Sequence, residues 1–431
     1  NQDAARSNFV WTYYYKFIQT ANNVLSTINE ETATDEQKGY IAAAKAFRAL
    51  AYLDLGRMYE YLPTDVTKGV NADGNDVTGL TVPIVKEGMA EADARNNPRV
   101  KKEDLIKFIK EDLEYAEQNI GKLTKTEKTL PHLDCVYGLE ARLYMWEGDY
   151  AKAQAAADNA IKASSVQPMT QAQCLNTTTG FNNLADFMWG SQQTSEDVVV
   201  STGIVNWISF MCNEQTFGYC GAGTGDYIRI DTLAYNRLND TDFRKLEWVA
   251  PAGSPIANKV SFVNKTYGAS MPPMASVKFR PNQGEMDAPS VAAATAFPVM
   301  RVEEMYYIRM EAAAQQDAAK GKELLELFMR TRDPKYTCKA TSKEDIIKEI
   351  YFQKSIDLWG EGITFFDMKR LNYSLTRGYH GTNHSVGARI NTNGRPATTN
   401  FLFYRTEAEN NTALKGWNNP DPSGKYPLWT E

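Results

Sequence analysis

The chain has 431 residues, a length that suggests two or three domains or one long helical body. A hydrophobic share of 43% and a charged share of 23% provide for a large core and exclude a disordered chain. The net charge is −6 with no Lys/Arg block, which argues against nucleic acid or an anionic lipid surface as an electrostatic partner. No apolar run approaches the ~20 residues of a membrane helix. The opening NQDAARSNFVW has no signal-peptide pattern and reads as a processed or truncated start.

Trp11, Tyr15, Ile18, Asn22, Leu25 and Ile28 recur at steps of three and four and predict a first helix. TATDEQ is a start signal, with Thr34 or Asp35 as cap and Gln37 in the first turn. The second helix then runs to about Tyr61, with Ala44, Phe47, Ala51 and Leu55 on one side, and ends before Pro63. Residues 64–100 hold Gly, Pro and Asn and read as a long loop with extended pieces such as LTVPIV. A third helix is expected over Lys102–Ile120. LDCVYGLEARLYMWEG and DYAKAQAAADNAIKAS follow as a pair turning at Gly148 and Asp149. Their small and aromatic residues (Ala141, Tyr144, Tyr150, Ala153, Ala157) have the order of a tetratricopeptide unit.

From 165 to 298 helical period disappears. DVVVSTGIVNW and VKFRP alternate as short strands would. So long an irregular segment is expected to be functional. Helical pattern returns at Phe297–Met310 and continues to about Tyr373. It includes RVEEMYYIRMEAA from Arg301 and IYFQKSIDLWGEGITFFDMKR from Ile350, each read as an amphipathic helix. Glu304 and Arg309 are not at ion-pair spacing on one face, so their partners must come from other helices, as partly buried Arg–carboxylate pairs that fix register. The fold expected is mainly α: tetratricopeptide-like helical pairs forming one body, with a large irregular, loop-rich insertion carrying short strands. Its parts are an N-terminal helical part over 1–164, the insertion over 165–298, C-terminal helices over 299–373 packing on the first block, and an irregular tail over 374–431.

Several chemistries find no support. The five cysteines include no CxxC pair, so a structural zinc site is not expected; free thiols are favoured over a Cys212–Cys220 bridge. His380 and His384 sit in a Gly- and Asn-containing loop. NADGNDVTG from Asn71 places Asp76 where a calcium loop needs Gly and is read as a turn. GAGTG at Gly221–Gly225 is followed by no helix, and no GxSxG or P-loop is present. No cofactor or metal is expected.

The motifs together resemble the SusD/RagB family. The first helix is similar through Trp11, Tyr15, Ile18, Asn22 and Leu25, and the second through Arg48, Ala49 and Pro63. The third is similar through Arg99, Ile109, Asp112, Leu113 and Ala116. RVEEMYYIRMEAA is the most specific match (Arg301, Glu304, Arg309, Glu311, Ala312), and EGITFFDMKR resembles the final motif through Glu361, Gly362, Asp367 and Arg370. Thr364 stands where the family has Arg, Gln353 and Lys354 where it has Glu-Arg, and AAA replaces Gly-Glu-Ala before Lys45, the marks of a divergent member. The resemblance implies a non-catalytic, lipid-anchored protein on the outer-membrane surface. Such a protein binds oligosaccharides and delivers them to a SusC-like TonB-dependent transporter. The lipid anchor is absent from this chain. One branch of the family handles peptides, and that is the alternative, ahead of a two-carboxylate glycosidase.

A pyranose stacks its C–H face on an aromatic ring and offers hydroxyls to planar polar groups. The insertion supplies such a set in Trp189, Asn206, Trp207, Asn213, Phe217, Tyr219, Asp226, Tyr227 and Arg229. Trp207, between Asn206 and Ser209 in a loop with few neighbours to bury it, is expected to contact ligand with little part in stability. Trp11 and Tyr15 are expected in the core, with Tyr13 and Tyr14 pointing elsewhere.

Overall fold

The computed structural model describes residues 3–201 and 205–431. In chain order the principal elements are α1 (Ala5–Thr27), α2 (Asp35–Tyr59), α3 (Lys102–Asn119), α4 (Leu133–Glu147), α5 (Tyr150–Ala163), β1 (Trp189–Gln192), α6 (Trp207–Met211), β2 (Ala296–Met300), α7 (Val302–Gln316), α8 (Ala318–Met329), α9 (Lys343–Asp357) and α10 (Thr364–Arg370).

The first five helices follow their sequence signals. α1 buries Trp11, Ile18 and Asn22. Thr34 caps α2 by accepting from the Gln37 backbone N–H, and the Gln37 side chain accepts from Thr34 in return at 2.8 Å, a complete capping box. α2 presents buried Ala42, Ala46 and Ala49, which let its neighbours approach closely. Gly148 ends α4 at φ 88°, a left-handed conformation that glycine adopts without a Cβ penalty, and Asp149 caps α5 one residue later. α4 and α5 form an antiparallel hairpin, and α7 packs against α5, α8 and α9. The main hydrophobic cluster runs through α1 to α5 and into α7; a second one joins α7, α8 and α9 around Tyr307, Leu325, Phe328 and Ile350.

Buried charge pins the helices together. Arg48 of α2 grips Asp112 of α3 through Nε and Nη2, both at 2.8 Å, and its Nη1 reaches Asn22 Oδ1 of α1 at 2.7 Å and Glu87 of the following loop. Glu304 and Arg309 both find their partners on the α4–α5 hairpin: Glu304 pairs with buried Arg142, whereas Arg309 meets Asp158 in an exposed pair at 3.4 Å.

The segment 165–298 is made of short helical turns, with hydrophobic clusters of its own. Among the described residues its one sheet is antiparallel: β1 pairs with β2, Ser191 opposite Phe297 and Gln192 opposite Ala296, bringing the two flanks of the segment together. Three sequence expectations are corrected here. Val198–Ser201 forms a helical turn rather than a strand, and 202–204 lie outside the described residues. The single bridges of Ala275 and Ser276, to Arg229 and Trp248, lie just before VKFRP, and Val277–Pro281 bends at Lys278 and Phe279 instead of forming a strand. Phe297–Met300 is strand, not helix, because Pro298 disfavours the α region at Phe297; α7 starts after Arg301.

The span from Ile350 to Arg370 is likewise two helices. Gly360 (φ 79°) and Gly362 (φ 76°) take left-handed conformations between α9 and α10, and a Cβ on Gly360 would fall 2.5 Å from the Phe279 ring. This break turns Glu361 inward. It accepts from Arg301 at 2.8 Å and Lys278 at 2.9 Å, joining the irregular segment to the C-terminal helices.

Candidate functional site

The polypeptide from Asn206 to Arg229 is cross-tied by buried polar side chains, two of which, Asn206 and Asn213, the sequence places among the expected ligand contacts. Asn206 is buried and caps α6, accepting from Ser209 N–H at 2.9 Å while donating to Val199 O. Asn213 is fully buried; it donates to Ile228 O (2.7 Å) and Ser276 O (2.9 Å) and accepts from Ile228 N–H. Gln215, also fully buried, donates to the carbonyls of Ile208 and Cys212. Beneath them Glu214 pairs with Arg280, both inaccessible, and burial raises the Glu214 carboxyl despite that guanidinium. Polar groups spent in this way hold a loop that lacks regular backbone pairing.

Trp189 lies in the core, edge-on to Phe47 at 4.9 Å, with its indole N–H on Thr129 O. Trp207 is half-buried. It stacks on Phe297 (5.3 Å, 15°) and meets Phe279 edge-on at 5.4 Å. The expectation that its loop position leaves it few neighbours is corrected: those neighbours come from β2 and from Phe279, far off in sequence.

Facing outward is a smaller set. Tyr219 is 48% exposed and stacks in parallel on Phe210, also 48% exposed, with ring centroids 4.7 Å apart and an interplanar angle of 15°. The Tyr219 backbone N–H donates to Ser209 O at 2.8 Å, which fixes its loop against α6 and so aligns the rings. Asp226 is exposed on the same loop, and its carbonyl accepts from Gly221 N–H at 2.7 Å. Arg229 is exposed and reaches Asn383 O at 3.3 Å; Phe217 and Tyr227 are partly exposed, with Tyr227 OH 3.4 Å from Tyr267 OH. Of the nine expected residues, the structure thus puts Phe217, Tyr219, Asp226, Tyr227 and Arg229 at the surface of one loop system. Phe210 was missed. Its signal lies in the helical turn: Ile208 and Ser209 are buried, so Phe210 projects from the opposite face.

Other motifs are structural. Asn71 Oδ1 accepts from the backbone of Asp73 and Asn75, the turn read from sequence. All five cysteines are buried and free, Cys220 donating to Cys212 O at 3.0 Å. His384 rests on Asp231 at 3.1 Å, and no cluster of metal-ligating side chains is found among the described residues. No helix there is long and apolar enough to cross a membrane.

Two family profiles match the chain. One, described as starch-binding associating with outer membrane, covers residues 1–145, and the SusD family profile covers residues 224–419. The chain belongs to the SusD/RagB family. No curated protein matches this SusD/RagB chain. Solved structures share its fold. A SusD-like carbohydrate-binding protein from Bacteroides vulgatus is 19% identical, with TM-score 0.72 over 96% of this chain and 84% of that one. A SusD superfamily protein from Bacteroides thetaiotaomicron is 18% identical, with TM-score 0.70 over 95% and 85%. A laminarin-binding SusD-like protein is 15% identical, with TM-score 0.60 over 96% and 85%.

Proposed function

We propose that this SusD/RagB protein binds oligosaccharides without cleaving them, at the outer-membrane surface, and passes them to a SusC-like TonB-dependent transporter. The observation that carries the reading is the exposed Phe210–Tyr219 stack, on a loop that also exposes Asp226. Half-exposed parallel rings offer an apolar face to the C–H side of a pyranose, and Asp226 and Arg229 offer charged groups to its hydroxyls. The carbohydrate-binding and laminarin-binding neighbours support the ligand class, and family membership supports the location and the transporter.

The test is one glycan panel read in two ways, by calorimetric heat and by released reducing ends. Heat without product, lost in Tyr219→Ala, supports the proposal. Product formation makes the protein a glycosidase, and silence on every glycan with a response to peptides assigns it to the peptide-handling branch.

A further inference from the structure

A separate cavity of about 200 Å³ lies among α2, α4, α7 and α10, away from the aromatic platform. Its volume is room for about six waters at the density of the liquid. Seven cations and three carboxylates line it. Most of the charge is paired. Arg142 is matched to Glu304 at 2.6 Å and Lys102 to Glu60 at 3.4 Å. Arg57 is matched to Asp54 just behind the wall at 2.6 Å. Lys354 and Arg370 share Asp367 and Glu311 at 2.7 to 2.9 Å. Five acids thus serve five cations, and two cations remain, Lys369 and Arg395.

Among the described residues neither makes an ion pair. Lys369 is 2% exposed and donates to the carbonyls of Arg57, Met58 and Glu60 at 2.7 to 2.9 Å. Three acceptors need three N–H groups, which only the ammonium form has. Burial, and then Arg395, Arg99 and Lys102 against the pull of Glu60, lower it to about 7. The three carbonyls decide for the charged form. Arg395, half-buried, is held by Asn372 Oδ1 at 3.0 Å, a neutral partner. Arg395 and Lys102 are both partly exposed, so the cavity has a cationic approach from solvent.

We infer that this cavity binds a small oxyanion, a sulfate, phosphate or carboxylate group, at the Arg395 guanidinium, with Lys369, whose three N–H groups are held by carbonyls, contributing charge and no hydrogen bond. Two surplus cations in a poorly solvated recess attract an anion far more strongly than surface charges do. The same chemistry could be carried by a free ion or by an acidic or sulfated sugar.

The experiment is calorimetric titration of the full chain with sodium sulfate and with sodium phosphate, against sodium chloride at matched ionic strength. The expected result is saturable binding of one or both oxyanions, weakened at least tenfold in Arg395→Gln and unchanged in Arg330→Gln, a control on the exposed end of α8. Lys102→Gln is the second cavity variant if Arg395→Gln does not fold. Titration with glucuronate and with a 6-sulfated hexosamine separates the sources: tighter binding than the free ion assigns the site to a sugar-borne anion, weaker binding to a free one. No oxyanion binding beyond chloride, or equal binding in wild type and Arg395→Gln, would overturn the inference and leave a hydrated internal charge network. Tyr219→Ala is expected to bind the anion normally, so this result and that of the glycan panel stand apart.

Discussion

Arg142 of α4 and Glu304 of α7 form a two-point ion pair, Nε to Oε1 at 2.8 Å and Nη2 to Oε2 at 2.6 Å, in a region where both side chains are nearly inaccessible. Arg142 adds a third bond to Val299 O at 2.9 Å, tying the sheet to the same point. Removing one partner strands a buried charge. Glu304→Ala is therefore expected to cost about 3–5 kcal/mol in denaturant unfolding, whereas replacing both residues by apolar ones of similar size should recover most of the loss. An additive double variant would show that the two residues do not act as a pair.

The outward stack gives a prediction about binding alone. Tyr219→Ala and Phe210→Ala should each lower glycan affinity by up to about tenfold, from an aromatic contribution of about 0.5–1.5 kcal/mol, with the melting temperature nearly unchanged. Isothermal titration beside thermal melts reads both. Unchanged glycan affinity in both variants would remove the stack from the site.

Trp207 should behave in the opposite way. Its contacts with Phe279 and Phe297 are packing contacts, so Trp207→Ala is expected to lose about 2–4 kcal/mol of stability, the lower part of the range for large-to-small changes because the ring is half-exposed. Urea denaturation checks this, and a fully stable variant would contradict it.

Glu247 supplies the pH test. It is buried among Lys278, Arg301, Arg244 and Asp357, and burial first, then Asp357, push its carboxyl up from 4.5 to about 7 against those three cations. A raised carboxyl favours the protonated folded state. Its contribution is therefore fully present below about 4.5 and is lost as pH rises through about 7. Glu247→Gln, which mimics the neutral acid, should match wild type near pH 4.5. It should become more stable by about 3 kcal/mol by pH 8, because each pH unit between the unfolded and folded titrations is worth roughly 1.4 kcal/mol. A wild-type minus variant difference that stays flat between pH 5 and 8 would show that Glu247 ionises normally.

The helical body was legible in the sequence because its signals are local. The 3.6-residue recurrence of Trp11, Ile18 and Asn22 and the Thr34–Gln37 box each report on residues within one or two turns. The insertion was not, because burial there is decided by partners far away. Trp207 and Asn206 look alike in a loop sequence, yet Phe279, Phe297 and Val199 O enclose them. Tyr219 kept its exposure because Gly218 and Gly221 turn the chain around it, and Phe210 was visible only once the five-residue helix was known. The Arg/Glu motifs announced interhelical pairs without naming them: Arg142 stands 162 positions before Glu304.

The web around Arg301, Glu361 and Lys278 has an evolutionary corollary. It clamps the inner layer of the insertion to the C-terminal helices, while the loop with Tyr219 and Asp226 stays outside that clamp. Descendants of this chain can exchange that outer loop without disturbing the buried charge network on which it stands.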